Sequence, residues 1–260
     1  MEECGDFRPI SITPVLSRVM EKLVVRNYVY PAILDPPDQL TFDDQFAFRP
    51  TGSTTAAMIF LFERITELLL DNSFILFYSL DFSKAFDTVR HSTLFEKLAM
   101  LKTPNEIYNW IADYYSERSH CTSFDGTVSE FVEIFASVIQ GSVIGPAAYA
   151  VNASDLRTIN PKNSLSKFAD DTGLIVGKDQ VASRRAELKH IADWAVENNL
   201  CLNQTKSAEM VFTNPRQKNR NDPPPPINGI PRVHVLKLLG VTISDNFSMH
   251  EHVTNLISSC

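Results

Sequence analysis

SLSKFADDTGLIVGK, residues 164–178, is the stretch on which the fold turns. Leu165, Phe168 and Ala169 lie on one side of the acid pair Asp170-Asp171, and Leu174, Ile175 and Val176 on the other. The two apolar stretches read as strands and the acids as the tip of their hairpin. Asp bonds readily to its own backbone, so Asp-Asp-Thr-Gly suits a turn, and for an arbitrary acid pair that is the commoner explanation. Adjacent carboxylates repel, however, and each resists burial. A divalent cation would convert the repulsion into coordination, provided that a third oxygen ligand comes from elsewhere in the chain.

Residues 74–82, FILFYSLDF, supply a candidate. The run is short, apolar and aromatic, as in a strand buried on both faces, and it ends at Asp81. If this strand neighbours the hairpin, Asp81, Asp170 and Asp171 meet at adjacent strand ends. Such a trio can hold two divalent ions that stabilise the attacking and leaving oxygens of an in-line phosphoryl displacement. Mg2+ suits it, because it takes a few carboxylates together with phosphate oxygens and water.

Outward from these stretches, Thr13 is a candidate N-cap for a helix whose apolar face is Val15, Leu16, Val19, Met20 and Leu23, ended by Pro31, Pro36 and Pro37. Residues 53–70 form a second helix, and 92–102 and 104–118 two more. Asp125-Gly126 turns a hairpin within 121–135. Gln140-Gly141-Ser142 leads into an apolar helix broken near Gly145-Pro146. An amphipathic helix covers 180–199, and strands cover 210–213 and 235–244. Between these strands, 214–232 holds the run Pro223 to Pro226 and reads as an exposed, mobile loop. Helices and strands mix without strict βαβ alternation, which gives an α+β class with a largely antiparallel sheet.

The 260 residues are 44% hydrophobic and 21% charged, as in a globular protein. No run is long enough to span a bilayer. Cys4, Cys121, Cys201 and Cys260 form no CxxC pair, which suits reduced thiols in an intracellular protein. A net charge of −7 taken alone argues against nucleic-acid binding, although a metal-binding acid cluster itself adds negative charge. The clusters Arg216, Lys218, Arg220 and Arg184, Arg185 read singly as solvated surface.

Taken in order, the motifs resemble the reverse transcriptase domain of non-LTR (LINE-type, jockey/CR1-like) retrotransposons. Arg8-Pro9-Ile10-Ser11-Ile12 through Glu21-Lys22-Leu23 is similar to the family's first fingers block, and residues 45–54, QFAFRPTGST, to its second. Residues 80–87, LDFSKAFD, resemble the first catalytic block of the palm. Residues 140–146, QGSVIGP, resemble the block that grips template and nucleotide, and 168–171, FADD, the catalytic hairpin. Asn199 through Ser207 and Leu238-Leu239-Gly240-Val241 resemble the next block and the primer grip.

The resemblance implies a polymerase palm, a ferredoxin-like antiparallel sheet with helices on one face, plus partial fingers, with the thumb largely absent. Residues 1–72 would be partial fingers and 73–213 the palm, with fingers-derived elements interleaved around 92–135. The mobile loop would be 214–232, and 233–260 the primer-grip strands and start of a thumb. The implied function is RNA-directed DNA polymerase, a nucleotidyltransferase. Two Mg2+, with Mn2+ as substitute, would be held by Asp81, Asp170, Asp171 and the Phe82 carbonyl. Arg49, Phe86, Gln140 and Gly141 would bind the nucleotide, and Lys206 would approach the leaving pyrophosphate. Read alone, Phe86 is a core aromatic, Arg49 a loop arginine, Gln140-Gly141 a turn and Lys206 a surface lysine. Implied partners are an RNA template, a DNA primer and deoxynucleoside triphosphates, with no membrane, in the cytoplasm or nucleus. Relatives carry an endonuclease-like domain upstream and more chain downstream, so the chain reads as a fragment. The alternative is a catalytically silent remnant that binds nucleic acid weakly or serves as an interaction module.

Overall fold

The computed structural model describes residues 11–214 and 222–259. In chain order, α1 (Val15–Val24), a π-helical turn (Val25–Val29) and α2 (Tyr30–Leu34) form one helical rod, followed by α3 (Thr54–Asp71) and strand β1 (Phe74–Ser83). Next come α4 (Ala85–Thr88), α5 (His91–Met100), α6 (Asn105–Tyr115) and the short strands β2 (Ser119–His120), β3 (Ser123–Phe124), β4 (Thr127–Val128) and β5 (Val132–Glu133). Helix α7 (Ile144–Asn152) precedes the hairpin β6 (Ser164–Phe168) and β7 (Asp171–Gly177). A 3-10 turn (Lys178–Ser183), α8 (Arg184–Glu197), β8 (Cys201–Thr213), β9 (Arg232–Val233), β10 (Val235–Leu238), β11 (Val241–Ser244) and α9 (His250–Ser259) complete it.

The main sheet has the order β6-β7-β1-β8-β9 and is antiparallel except for β8–β9. β1 lies at its centre, and its side chains alternate between two cores. Leu76, Tyr78, Leu80 and Phe82 join the layer built from the α1–α2 rod and α5 to α8. Ile75 and Phe77 point the other way, to Met58, Leu61, Ile65 and Leu69 of α3 and to Ile243 of the β10–β11 hairpin. Cover on both faces is why β1 is a continuous apolar run instead of an alternating one. The architecture is α+β, as expected, and the sheet's second face is also covered.

Several boundaries differ from the sequence reading. The helical rod runs through Pro31 to Leu34, because the wider π turn just before it takes up the break that a proline makes in the i to i−4 ladder. Pro14, not Thr13, stands at the N-cap of α1, without a side-chain cap. The face of α1 expected to be buried is outside, with Leu16 80% exposed, whereas Glu21 and Val24 are buried. Glu21 turns that side inward because its carboxylate accepts the Val143 and Ile144 amides at the start of α7, at 2.6 and 3.2 Å. Pro146 does not break α7: it sits in the first turn, where amides have no partner to lose.

Strand β8 begins nine residues earlier than the 210–213 expected, at Cys201. Arg184 is 6% exposed instead of solvated, and its Nη2 donates to the Pro225 carbonyl at 3.0 Å. With Arg232, which donates to the Pro224 carbonyl, and buried Ile230, this docks 222–232 against the domain. The rest of the supposed loop, with Arg216, Lys218 and Arg220, lies outside the described residues, as do Arg8, Pro9 and Ile10 of the first block. Among the described residues no helix is long and apolar enough to cross a membrane.

Candidate functional site

The pairing of β1 with β7 ends at Leu80 opposite Thr172, so the next residues outward, Asp81 and Asp171, face one another at the strand ends. Asp170 follows Ala169 at the tip of the β6–β7 hairpin, where Ala169 takes the left-handed conformation with φ 56°. Asp171 is open to solvent on one side. On the other it is packed by protein, and burial followed by the charges of Asp170 and Asp81 pushes its carboxyl up to about 6. Beneath the tip, the buried Tyr149 hydroxyl is pushed far up by burial and then by Asp170 and Asp171. The three acids therefore share one electrostatic corner. Among the described residues no three His, Cys, Asp or Glu side chains converge as a finished metal cage. The donor set is nonetheless what a hard divalent cation takes: oxygen-only, anionic and mutually repelling.

The surroundings hold this corner in place. Phe82 is buried with its ring edge-on to Trp194 at 6.0 Å, which anchors the backbone after Asp81. Lys84, at φ 50°, turns the chain into α4, which carries Phe86. The Phe86 ring stacks on Tyr149 at 4.5 Å and receives Phe48 edge-on at 6.0 Å. Gln140 Nε2 donates to Asp87 Oδ1 at 2.7 Å, linking the turn before α7 to α4. Gly141 has φ 100°, a conformation that favours glycine. Arg49 is half-buried; it donates to the Phe42 carbonyl and lies 4.0 Å from Asp43. Its turn closes against Gly52, where a Cβ would fall 2.1 Å from the Phe46 carbonyl oxygen.

Lys206 lies on a bulge. Ser79 pairs with Ala208 but Asp81 pairs with Asn203, so residues 204–207 loop out opposite Leu80. Ser207 Oγ accepts from the Asp81 amide at 3.2 Å and donates to the Asn203 carbonyl at 2.7 Å. Lys206 is exposed there, beside the end of β1. The fold thus brings Asp81, Asp170 and Asp171 to one corner, ties Phe86 to it through Tyr149 and Gln140 to the Phe86 helix through Asp87, and places Lys206 on the adjoining strand and Arg49 next to Phe48.

The sequence reading missed several residues that hold the corner together. Tyr149 was hidden in an apolar helix. Lys167, 1% exposed, sits in β6, with Nζ 3.0 Å from Asp44 Oδ1 and donating to the Ala153 and Leu156 carbonyls at 2.9 and 3.1 Å. Lys97, also buried, donates to the Asn152 carbonyl and to Asp155 and Asn198. With Glu21 at its start and two lysines at its end, α7 has both poles of its dipole matched. The signal for Lys167 was present: Leu165, Lys167 and Ala169 alternate inward in a strand, and a lysine at an inward position needs an acid.

The family model described as reverse transcriptase (RNA-dependent DNA polymerase) matches residues 2–243. The RNA-directed DNA polymerase from mobile element jockey of Drosophila melanogaster is 28% identical over 275 residues, covering 98% of this chain and 28% of that protein. The probable RNA-directed DNA polymerase from transposon X-element of the same species is 27% identical, covering 98% and 28%. The chain thus spans little more than a quarter of the length of these relatives. Among solved structures, apo telomerase from Candida tropicalis has a TM-score of 0.59 at 11% identity, covering 88% of this chain and 40% of that one. At that identity the likeness concerns the fold.

Proposed function

The chain belongs to the reverse transcriptase (RNA-dependent DNA polymerase) family, and from that premise we propose that it forms the palm and partial fingers of an RNA-templated DNA polymerase, a nucleotidyltransferase. Residues 1–72 and the interleaved 92–135 are fingers, 73–213 is palm, and 233–260 begins the primer grip and thumb, with 214–232 between them. The partners are an RNA template, a DNA primer and deoxynucleoside triphosphates, met in the cytoplasm or nucleus. The observation that carries this reading is the meeting of Asp81 and Asp171 at neighbouring strand ends, with Asp170 at the tip between them.

Asp81, Asp170, Asp171 and the Phe82 carbonyl would hold two Mg2+ or Mn2+, which when bound stabilise negative charge on the attacking and departing oxygens. The protein's own groups do the positioning. Arg49 leaves the Phe42 carbonyl to offer its planar fork to the triphosphate. Phe86, pinned between Tyr149 and Phe48, forms a rigid wall under the sugar that leaves no room for a 2′-hydroxyl. Gln140 and Gly141 present a side-chain amide and a close-approaching backbone to nucleotide and template. Lys206, on its bulge beside Asp81, gives a proton to the departing pyrophosphate.

Primer extension on an RNA template with Mg2+ tests this. The parent chain should extend the primer in a template-dependent way and Asp170→Asn should not. Extension by Asp170→Asn at the parent's rate would remove the acid corner from the mechanism.

A further inference from the structure

Gln45 is 1% exposed, and its side-chain oxygen bridges two segments that the proposed reaction needs in register. Oε1 accepts from the Ala47 amide and from the Ala169 amide, each at 3.1 Å. Ala169 is the left-handed residue immediately before Asp170, and Ala47 immediately precedes Phe48, also left-handed at φ 60°. Phe48 packs edge-on against Phe86 and is followed by Arg49. Backbone bonds run alongside: the Phe46 amide donates to the Lys167 carbonyl at 2.7 Å, and the Lys167 amide to the Asp44 carbonyl at 2.6 Å. These fix 44–46 to β6 but stop short of both left-handed residues.

Left-handed backbone at a non-glycine residue persists only when its surroundings enforce it. At the hairpin tip the two-residue turn between the paired Phe168 and Asp171 calls for it, and the Gln45 oxygen adds the hydrogen bond that ties this residue to the 45–49 loop. The amide orientation follows from its partners, because two backbone donors require an oxygen. Nε2 is buried and has no hydrogen-bond partner among the described residues.

We infer that Gln45 is a positioning residue: its side-chain oxygen sets the acid-bearing hairpin tip and the Phe48–Arg49 loop in one geometry, so that the acids, the sugar wall and the phosphate-binding arginine are assembled together. The inference rests on the polymerase reading for its consequence and on the hydrogen bonds for its mechanism, and the test reads the two separately. In the full chain, Gln45→Met keeps the side chain's length and removes the acceptor, whereas Gln45→Glu keeps an acceptor oxygen. Hydrogen–deuterium exchange of peptides covering 165–171 and 44–50 should speed up about five- to tenfold in Gln45→Met and stay near the parent in Gln45→Glu. The Mg2+ concentration for half-maximal thermal stabilisation should rise several-fold in Gln45→Met alone. Extension per titrated active site should fall about 10- to 100-fold, as expected for sub-ångström to ångström misplacement of reacting groups.

A loss of folded protein without change in these per-molecule readouts would be a structural effect and would overturn the inference. So would unchanged exchange in Gln45→Met, or faster exchange with a parent-like Mg2+ dependence. If the parent itself extends no primer, the polymerase reading fails, while exchange and Mg2+ titration still decide the role of Gln45.

Discussion

Replacing Lys167 by Met tests how the hairpin is anchored. Met fills much of the same volume, so the change removes the charge with little loss of packing. The Asp44 carboxylate would then lose its cation, 3.0 Å away, and the Ala153 and Leu156 carbonyls their donor. Removing one partner of a buried ion pair costs about 3–5 kcal/mol, a large share of the roughly 5–15 kcal/mol that stabilises a domain. With about 2.1 cal/mol/K of unfolding entropy per residue, 260 residues give about 0.55 kcal/mol/K, and Tm should fall by roughly 5–9 °C. Burial already holds the Asp44 carboxyl above its ordinary range, with Lys167 pulling it down. Without Lys167 it rises further. An acid raised on folding contributes stability that is present at low pH and is lost as pH rises through its folded pKa. The deficit of Lys167→Met should therefore be larger near pH 7.5 than near pH 5. Adding Asp44→Asn should return at least about 1 kcal/mol, because the two sites are coupled. Urea unfolding of the four proteins at both pH values measures this. A deficit below about 1 kcal/mol, the level of an exposed pair, or one that ignores pH, would refute the anchoring argument.

Other outcomes follow from the same geometry. Because Asp171 holds its proton up to about pH 6, thermal stabilisation by Mg2+ should be present at pH 7.5 and fade as pH falls through that range; Asp171→Asn should abolish it at every pH. Phe86→Val should open space under the sugar and reduce discrimination against ribonucleotides by about 1–3 kcal/mol, read as the ratio of kcat/KM values for deoxy- and ribonucleotide insertion. Gly145→Ala would place a Cβ 2.7 Å from the Ile139 carbonyl oxygen and should cost about 1–3 kcal/mol by thermal unfolding, tilting the start of α7 beside Gln140.

The centre of the fold was legible because its chemistry is local. A short apolar run bounded by turn formers suits a doubly covered strand, and an acid at its end needs a reason. Asp125-Gly126 forecast its turn because both residues take positive φ there, 47° and 75°. The acid corner was legible as a condition, that β1 neighbour the hairpin, which the pairing register meets. What stayed hidden depends on partners far along the chain. The apolar stripe on α1 is genuine, but Glu21 answers to amides 122 and 123 residues away, so the stripe faces out. Lys167 and Asp44, like Gln45 and Ala169, come together only through the loop that crosses β6. Pro146 misled because its missing amide lies in a first turn where it has no partner to lose, and Pro31 because a π turn absorbs its break.

The most direct test of the central claim is Mn2+ binding followed by electron paramagnetic resonance, with primer–template and a deoxynucleoside triphosphate present, in the parent and in Asp81→Asn. If the end of β1 and the β6–β7 tip form one site, Asp81→Asn should lose bound Mn2+ to the same extent as Asp171→Asn. Undiminished Mn2+ binding in Asp81→Asn would mean that the two strand ends do not work together.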